Sequence, residues 1–410
     1  MRFVINAIRR TSLVLVLAAL GLPAQAETPL ARAFAAAWER QPAAAGLGER
    51  SRAAAAQQQV ANAWTAAPPS LELATRSDRF NRNRGALEQE LGVALPLWLP
   101  GERSASQALA AADAEAVERR GGSLRLQLAQ ALREAWWAWQ AAHNESSLAG
   151  ERVAAASRLR DDVARRFRAG DLSRADLNAA AGALAQAEAQ AAEVSAAAAQ
   201  ATFRLRNLTG TGLPEAPPVA AAEPLPAATA AAAEQHPQWR ELQARAQRAD
   251  AEVELARQQT RANPELAVST RRDRGAAGEA VDQTWALALR LPFGAGPRQD
   301  ARIATARAEA LELQGEALRL QEQLGYAGEL AARQVAAARQ QLAAAEQRAA
   351  LARENRDLYD KSFRLGESDL PTRLRIEAEA FEAERALGRA RIALAQGISQ
   401  WRQSLGLLPE

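Results

Sequence analysis

Phe167-Arg168-Ala169-Gly170-Asp171-Leu172-Ser173-Arg174-Ala175-Asp176-Leu177 and Phe363-Arg364-Leu365-Gly366-Glu367-Ser368-Asp369-Leu370-Pro371-Thr372-Arg373-Leu374 each interrupt a long run rich in Ala, Arg and Gln. Glycine ends helices because it enters the left-handed conformation without a Cβ penalty. A Ser or Asp three residues later supplies a side-chain oxygen to cap the next helix. Each stretch therefore reads as the tight turn of a helical hairpin. The two phenylalanines lie 196 residues apart, and so do Gly170 and Gly366. This spacing is the first sign of a motif written twice.

The runs on either side are long. From Glu102 to Arg168 there is no proline, and Leu124, Leu128, Leu132, Trp136 and Trp139 recur at helical spacing. At 1.5 Å per residue such a helix reaches about 100 Å, the length of a rod or coiled coil. Arg298 to Arg364 repeats the pattern, and Leu172 to Leu208 and Leu370 to Leu405 read as the return helices. Leu394, Ile398, Trp401 and Leu405 follow 4-3-4 spacing, a coiled-coil seam. Thr28 to about Ala66 reads as one helix ended by Pro68-Pro69.

Between the helices the period changes to two. Ser70 to Thr75 alternates, and Leu87, Gln89, Leu91, Val93, Leu95 and Leu97 face away from Glu88, Glu90, Gly92 and Ala94. In the second half, Trp285, Leu287, Leu289 and Leu291 oppose Ala286, Ala288 and Arg290. Two readings fit these hairpins: satellites on a soluble core, or strands of a membrane barrel. The landmarks Arg40-Gln41-Pro42, Pro68-Pro69 and Pro96 return as Gln235-His236-Pro237, Asn263-Pro264 and Pro292, all in order and nearly one register. The chain is an internal duplication.

Composition narrows the function classes. The 410 residues have a net charge of +3 despite a pI near 10.0, because interspersed arginines balance the acids and Lys361 is the only lysine. That pattern argues against a nucleic-acid arm. There is no cysteine, and His143 and His236 lack metal-ligand spacing. No nucleophile–base set or phosphate-binding glycine loop marks an enzyme, and no cofactor is implied. The Ala richness reads as codon bias. The N-terminus carries Arg2, Arg9 and Arg10, an apolar run Leu13–Leu22 and the cleavage pattern Ala24-Gln25-Ala26, a secretory signal.

The order of elements resembles the outer-membrane factor family, the TolC-like channels, over the whole mature chain. Leu95-Pro96-Leu97-Trp98 and Phe363 to Leu370 most resemble its CzcC-like heavy-metal and cation efflux branch. The resemblance implies a mainly α fold with a small β part. It implies four strands per chain in a trimeric twelve-stranded outer-membrane barrel, continued by a helical tube through the periplasm. It places a signal peptide at 1–26 and a first repeat at 27–210, with strands near 70–78 and 86–97 and a helical hairpin at 102–208. A linker at 211–226 follows, then a second repeat at 227–410, with strands near 265–272 and 282–292 and a hairpin at 298–405.

The function so implied is a passive exit duct for small molecules or heavy-metal cations. Its partners would be a periplasmic adaptor, an inner-membrane pump, outer-membrane lipid and two further copies of itself. Protein or peptide secretion through the same kind of duct is the alternative within the family; a soluble periplasmic coiled-coil scaffold is the alternative outside it. By resemblance, Arg168, Gly170, Asp171, Ser173, Arg364, Gly366, Glu367 and Asp369 form the tip that meets the adaptor. Asp176 and Arg373 are candidates to line its aperture, Thr372 being the second-half counterpart of Asp176. Phe363 and Ser368 occupy the places of a tyrosine and an arginine that lock the tip in the best-known member. Read from local chemistry alone, Asp171, Ser173 and Asp369 are equally helix caps, and Arg168 and Arg364 offset helix dipoles. Trp136, Trp137 and Trp139 read as packing residues, and the histidines as surface or packing residues.

Overall fold

Helix-starting and helix-ending chemistry sets the element order. The computed structural model describes residues 28–210, 217, 222–226, 233–294 and 296–410. The signal-peptide segment and most of the linker lie outside the described residues. The order is α1 (Pro29–Glu39), α2 (Pro42–Asn62), β1 (Ser70–Ser77), β2 (Leu87–Pro96), α3 (Glu102–Ala169) and α4 (Arg174–Thr209). A 3-10 turn (Ala233–Gln235) then leads to α5 (Pro237–Gln258), β3 (Glu265–Arg274), β4 (Asp282–Arg290), α6 (Gly296–Arg364) and α7 (Leu370–Ser404). The expected single helix at 28–66 is two helices. Proline disfavours α geometry in the residue before it but fits the first helical position, so Pro42 separates α1 from α2 and opens the latter.

The duplication closes on itself through the strands. Among the described residues, they form one antiparallel sheet in the order β1-β2-β3-β4. The central pairing joins the two repeats, with Val93 opposite Val268 and Leu95 opposite Leu266. All helices attach at one end of this sheet. At that junction Glu102 is buried, and its carboxylate accepts from the Leu99 amide (3.0 Å), Gln259 (3.0 Å) and Asn263 (2.5 Å). One side chain thus ties the start of α3 to the segment leading into β3.

The long helices pack along small residues. Ala180 and Ala187 on α4, Ala306, Ala310 and Ala317 on α6, and Ala380 and Ala383 on α7 are all buried. Alanine lets helix axes approach closely and costs no side-chain entropy. Its abundance therefore has a structural use beyond codon bias. The α7 seam is carried by Ile376, Ala380, Ala383, Leu387, Ala395 and Ile398, while Leu394 is only half-buried.

Midway along, α1, α3, α4 and α7 meet around Leu132, Trp136, Trp137, Trp139, Leu205 and Ile392. The three tryptophans are packing residues: Trp136 and Trp139 meet edge-on at 5.3 Å, and Trp137 Nε1 donates to Ser399 Oγ at 2.9 Å. Beside them lies a buried ion cluster. Arg133 donates to both oxygens of Glu223 at 3.0 and 2.7 Å, and Arg402 approaches the same carboxylate at 3.3 Å. Arg402 also reaches Glu410 at 3.0 Å, so the cluster gathers the linker, α3, α7 and the last residue.

Removing one member of a buried ion cluster leaves uncompensated charge. Glu223→Ala, which leaves the buried Arg133 without a carboxylate and Arg402 with Glu410 alone, is expected to destabilise the fold by about 3–5 kcal/mol. Denaturant unfolding against the unsubstituted chain reads this directly.

Candidate functional site

Two regions depart from an ordinary soluble surface: one face of the sheet and the far end of the hairpins. In the sheet, register places Leu71, Val93, Val268 and Leu287 in one row, with Leu73, Leu91, Thr270 and Trp285 in the next. A third row holds Leu95, Leu266 and Leu289. These side chains share one face, and it is bare: Leu73 is 77% exposed and Leu287 is 74% exposed. A contiguous apolar patch of this size marks a partner or a membrane. The opposite face is polar or small and carries ion pairs. Glu88 bridges Arg76 (2.7 Å) and Arg271 (3.1 Å), and Arg290 faces Glu265 (3.6 Å).

Exposed aromatic rings bracket the apolar rows. Phe80, 99% exposed, stands in the loop beyond β1, while Trp64, 92% exposed, and Phe293 stand at the helix end. Aromatic girdles of this kind flank the lipid band of membrane strands. Among the described residues, the outer strands β1 and β4 have no neighbour on their free edges.

At the far end the two turns are built alike. Gly170 (φ 88°) and Gly366 (φ 78°) adopt the left-handed conformation, which only glycine reaches without strain. The amide of Asp171 donates back to Arg166 O, and that of Glu367 to Ser362 O, closing both helices. Ser173 and Asp176 then form a reciprocal capping box on α4. The Asp176 carboxylate accepts from the Ser173 amide (2.9 Å) and hydroxyl (2.6 Å). The Ser173 hydroxyl, and then its amide, holds the Asp176 carboxyl below its ordinary value, against smaller upward effects of burial and Asp369. Asp369 caps α7 by accepting from the Thr372 amide at 3.0 Å, and hydrogen bonds from Thr372 lower its carboxyl likewise.

Between the turns sits Phe363, fully buried among Leu159, Val163, Ala180 and Leu370. The guanidinium groups of Arg166 and Arg373 each lie 4.9 Å from its ring centre. Arg166 also donates to Phe363 O at 3.2 Å, and Asp360 pairs with both Arg364 and Arg373. This knot holds the two hairpins of the chain against each other.

With this geometry the comparisons have a clear meaning. No protein-family model and no curated protein sequence matches the chain. Solved structures do. CusC, whose structures concern transmembrane channel formation, superposes with a TM-score of 0.77 at 15% identity, over 93% of each chain. The outer membrane protein VceC of Vibrio cholerae gives 0.74 at 16%, over 93% of this chain and 97% of that one. The MtrE outer membrane channel of Neisseria gonorrhoeae gives 0.74 at 17%, over 92% and 89%. This is the outer-membrane factor fold. Both halves of that TolC-like architecture, the short-stranded sheet and the long helical hairpins, are present.

Within the outer-membrane factor fold the named tip residues sort into two groups. Gly170, Ser173, Asp176, Gly366 and Asp369 all shape the turns and caps. Arg168, Asp171 and Glu367 stand exposed at the tip, and Arg364 joins them while pairing with Asp360. Arg373 turns inward to Phe363 and Asp360. Arg166 and the depth of Phe363 were not legible in the sequence, since their partners lie across two hairpins. His236 is a buried helix cap: its Nδ1 accepts from the Gln238 amide at 3.3 Å, and burial pushes its pKa down.

Both cap carboxyls titrate lower folded than unfolded. Their caps therefore act fully above the ordinary carboxylate range and are lost as pH falls through the folded values. Amide exchange protection in the first turns of α4 and α7 is expected to be flat near neutrality and to fall below about pH 4. Ser173→Ala is expected to weaken protection in the first turn of α4 while leaving α7 unchanged.

Proposed function

We propose that this chain is the outer-membrane exit channel of a tripartite efflux system, a passive duct for small molecules or heavy-metal cations. The observation that carries the proposal is the sheet: one bare apolar face, one ion-paired polar face and two open edges. In lipid every backbone polar group needs a partner, so an open edge is excluded. Four strands cannot close on themselves. Pairing the β4 edge of one copy with the β1 edge of the next closes twelve strands from three copies. The apolar rows then face lipid, and the Glu88 and Arg271 face lines the lumen. Strands of eight to ten residues, tilted near 40°, cover a band of about 20–25 Å.

The helices would extend the duct through the periplasm, with Gly170 and Gly366 at its tip. A Cβ placed on either glycine would meet nothing within 4 Å, so the outer surface of both turns is bare. Exposed Arg168, Asp171 and Glu367 would give an adaptor a polar contact there. Asp176 and Arg373 stay candidates for the aperture once three copies converge on an axis, where like charges interact strongly. The channel itself performs no chemistry; its opening follows engagement of the tip, and the pump supplies the energy.

Light scattering on detergent-extracted membranes is expected to show a trimer; a monomer confined to the soluble fraction overturns the proposal. Leu73→Arg or Leu287→Arg on the lipid face costs about 2–4 kcal/mol at mid-bilayer. Either is expected to abolish insertion, whereas Glu90→Gln on the lumen face leaves trimers intact. Replacing Gly170 and Gly366 together with leucine is expected to abolish efflux in a complementation assay while trimers still reach the membrane. Full complementation by that variant removes the turns from pump coupling.

A further inference from the structure

Arginines in this sheet divide by location. On the lumen face Arg76, Arg271 and Arg290 are each paired with a glutamate. Toward the loops the pattern reverses. Arg272 and Arg274 share the face of the apolar rows, one and two rows beyond Leu91 and Trp285. Arg79, Arg82 and Arg84 stand exposed in the adjoining loop. Among the described residues, none of these five guanidinium groups has a carboxylate partner. Arg274 is held in place by donating to Gly85 O at 3.1 Å.

The platform carrying them is built. Asp78 accepts from the amides of Arg84 (2.7 Å) and Gly85 (3.2 Å), which folds the loop. Gly85 (φ 88°) packs against the second loop so closely that a Cβ would sit 2.7 Å from Ala277. The Ala277 amide donates to Arg84 O at 2.9 Å, joining the two loops. Phe80, next to Arg79 in the chain, is almost fully exposed.

Resting on the barrel reading above, we propose that these arginines dock the phosphorylated headgroup of an outer-leaflet glycolipid. Successive rows on one face are about 6.7 Å apart along the strand. Arg272 and Arg274 therefore stand one and two steps past the Leu91–Trp285 row, beside Gln89 and Leu87, the depth at which a lipid's phosphates follow its acyl chains. Leu91 and Trp285 meet the chains below, and Phe80 sits at the interface, where aromatic rings are favoured. Unpaired arginines matched to anionic phosphates supply the charge complementarity, and guanidinium forks bind phosphate oxygens in pairs. The site lies on β2, β3 and their loops, so each copy carries one.

The test uses full-length protein extracted from membranes, with light scattering read first. The trimers are then equilibrated with phosphatidylcholine vesicles containing lipid A with both phosphates, or the same lipid dephosphorylated. Retained lipid is counted by mass spectrometry. The unsubstituted trimer is expected to retain phosphorylated lipid A at least about tenfold over the dephosphorylated form. Arg272→Gln with Arg274→Gln is expected to remove that preference while the trimer persists. If that variant fails to assemble, the loop variant Arg79→Gln with Arg82→Gln, which leaves the strands untouched, is expected to weaken the preference. Equal retention of the two lipids by an intact trimer overturns this proposal alone, as does full displacement by inorganic pyrophosphate, which needs no acyl chain. A soluble monomer overturns the barrel reading together with it.

Discussion

The antiparallel pairing of β2 with β3 is the contact on which the rest of the architecture depends. It joins two copies of a helix–hairpin–helix motif across a linker and puts both in one sheet. Because the pairing is antiparallel, α3 leaves β2 at the same end of the sheet at which α5 enters β3. The long hairpins therefore leave the sheet at the same end; alanines pack α6 against α5 and α7, and the two hairpins meet chiefly through α3 and α7. Glu102 at the junction and the Arg133–Glu223–Arg402 cluster midway hold the repeats in that register. The Phe363 knot holds them at the far end.

The sheet is the part that a single soluble chain does not explain. Among the described residues its apolar rows have no cover and its two edges have no partner strand. In the proposed reading both deficits have the same remedy: more strands around a closed barrel and lipid outside. The opposite face differs, since Arg76, Arg271 and Arg290 each meet a glutamate across strands. The loop arginines differ from both, being ordered by a hydrogen-bonded loop yet unmatched in charge.

Much of this was legible before any coordinates. Gly170 and Gly366 announce the turns because a left-handed helix stop needs glycine, and the equal offset of the flanking landmarks announces the duplication. Period-two alternation separates Leu91 and Val93 from Glu90 and Gly92 without knowledge of any neighbour. Less was legible wherever a role depends on distant partners. In sequence Asp176 reads as an aperture acid or a solvated helix residue, and the structure shows its carboxylate engaged in the α4 cap by Ser173. Arg373 stacks on Phe363, a contact between hairpins that no local pattern encodes. Alanine, set aside as compositional bias, lines the helix seams.

The sequence by itself determined the elements, their order and their repetition, because helix stops, caps and binary periodicity are local properties of the chain. Tertiary structure alone decided which rows of the sheet align, which buried charges meet and which arginines stay unpaired. Those depend on register and on residues far apart in the chain, such as Arg133 and Arg402, which only the folded hairpins bring to one carboxylate.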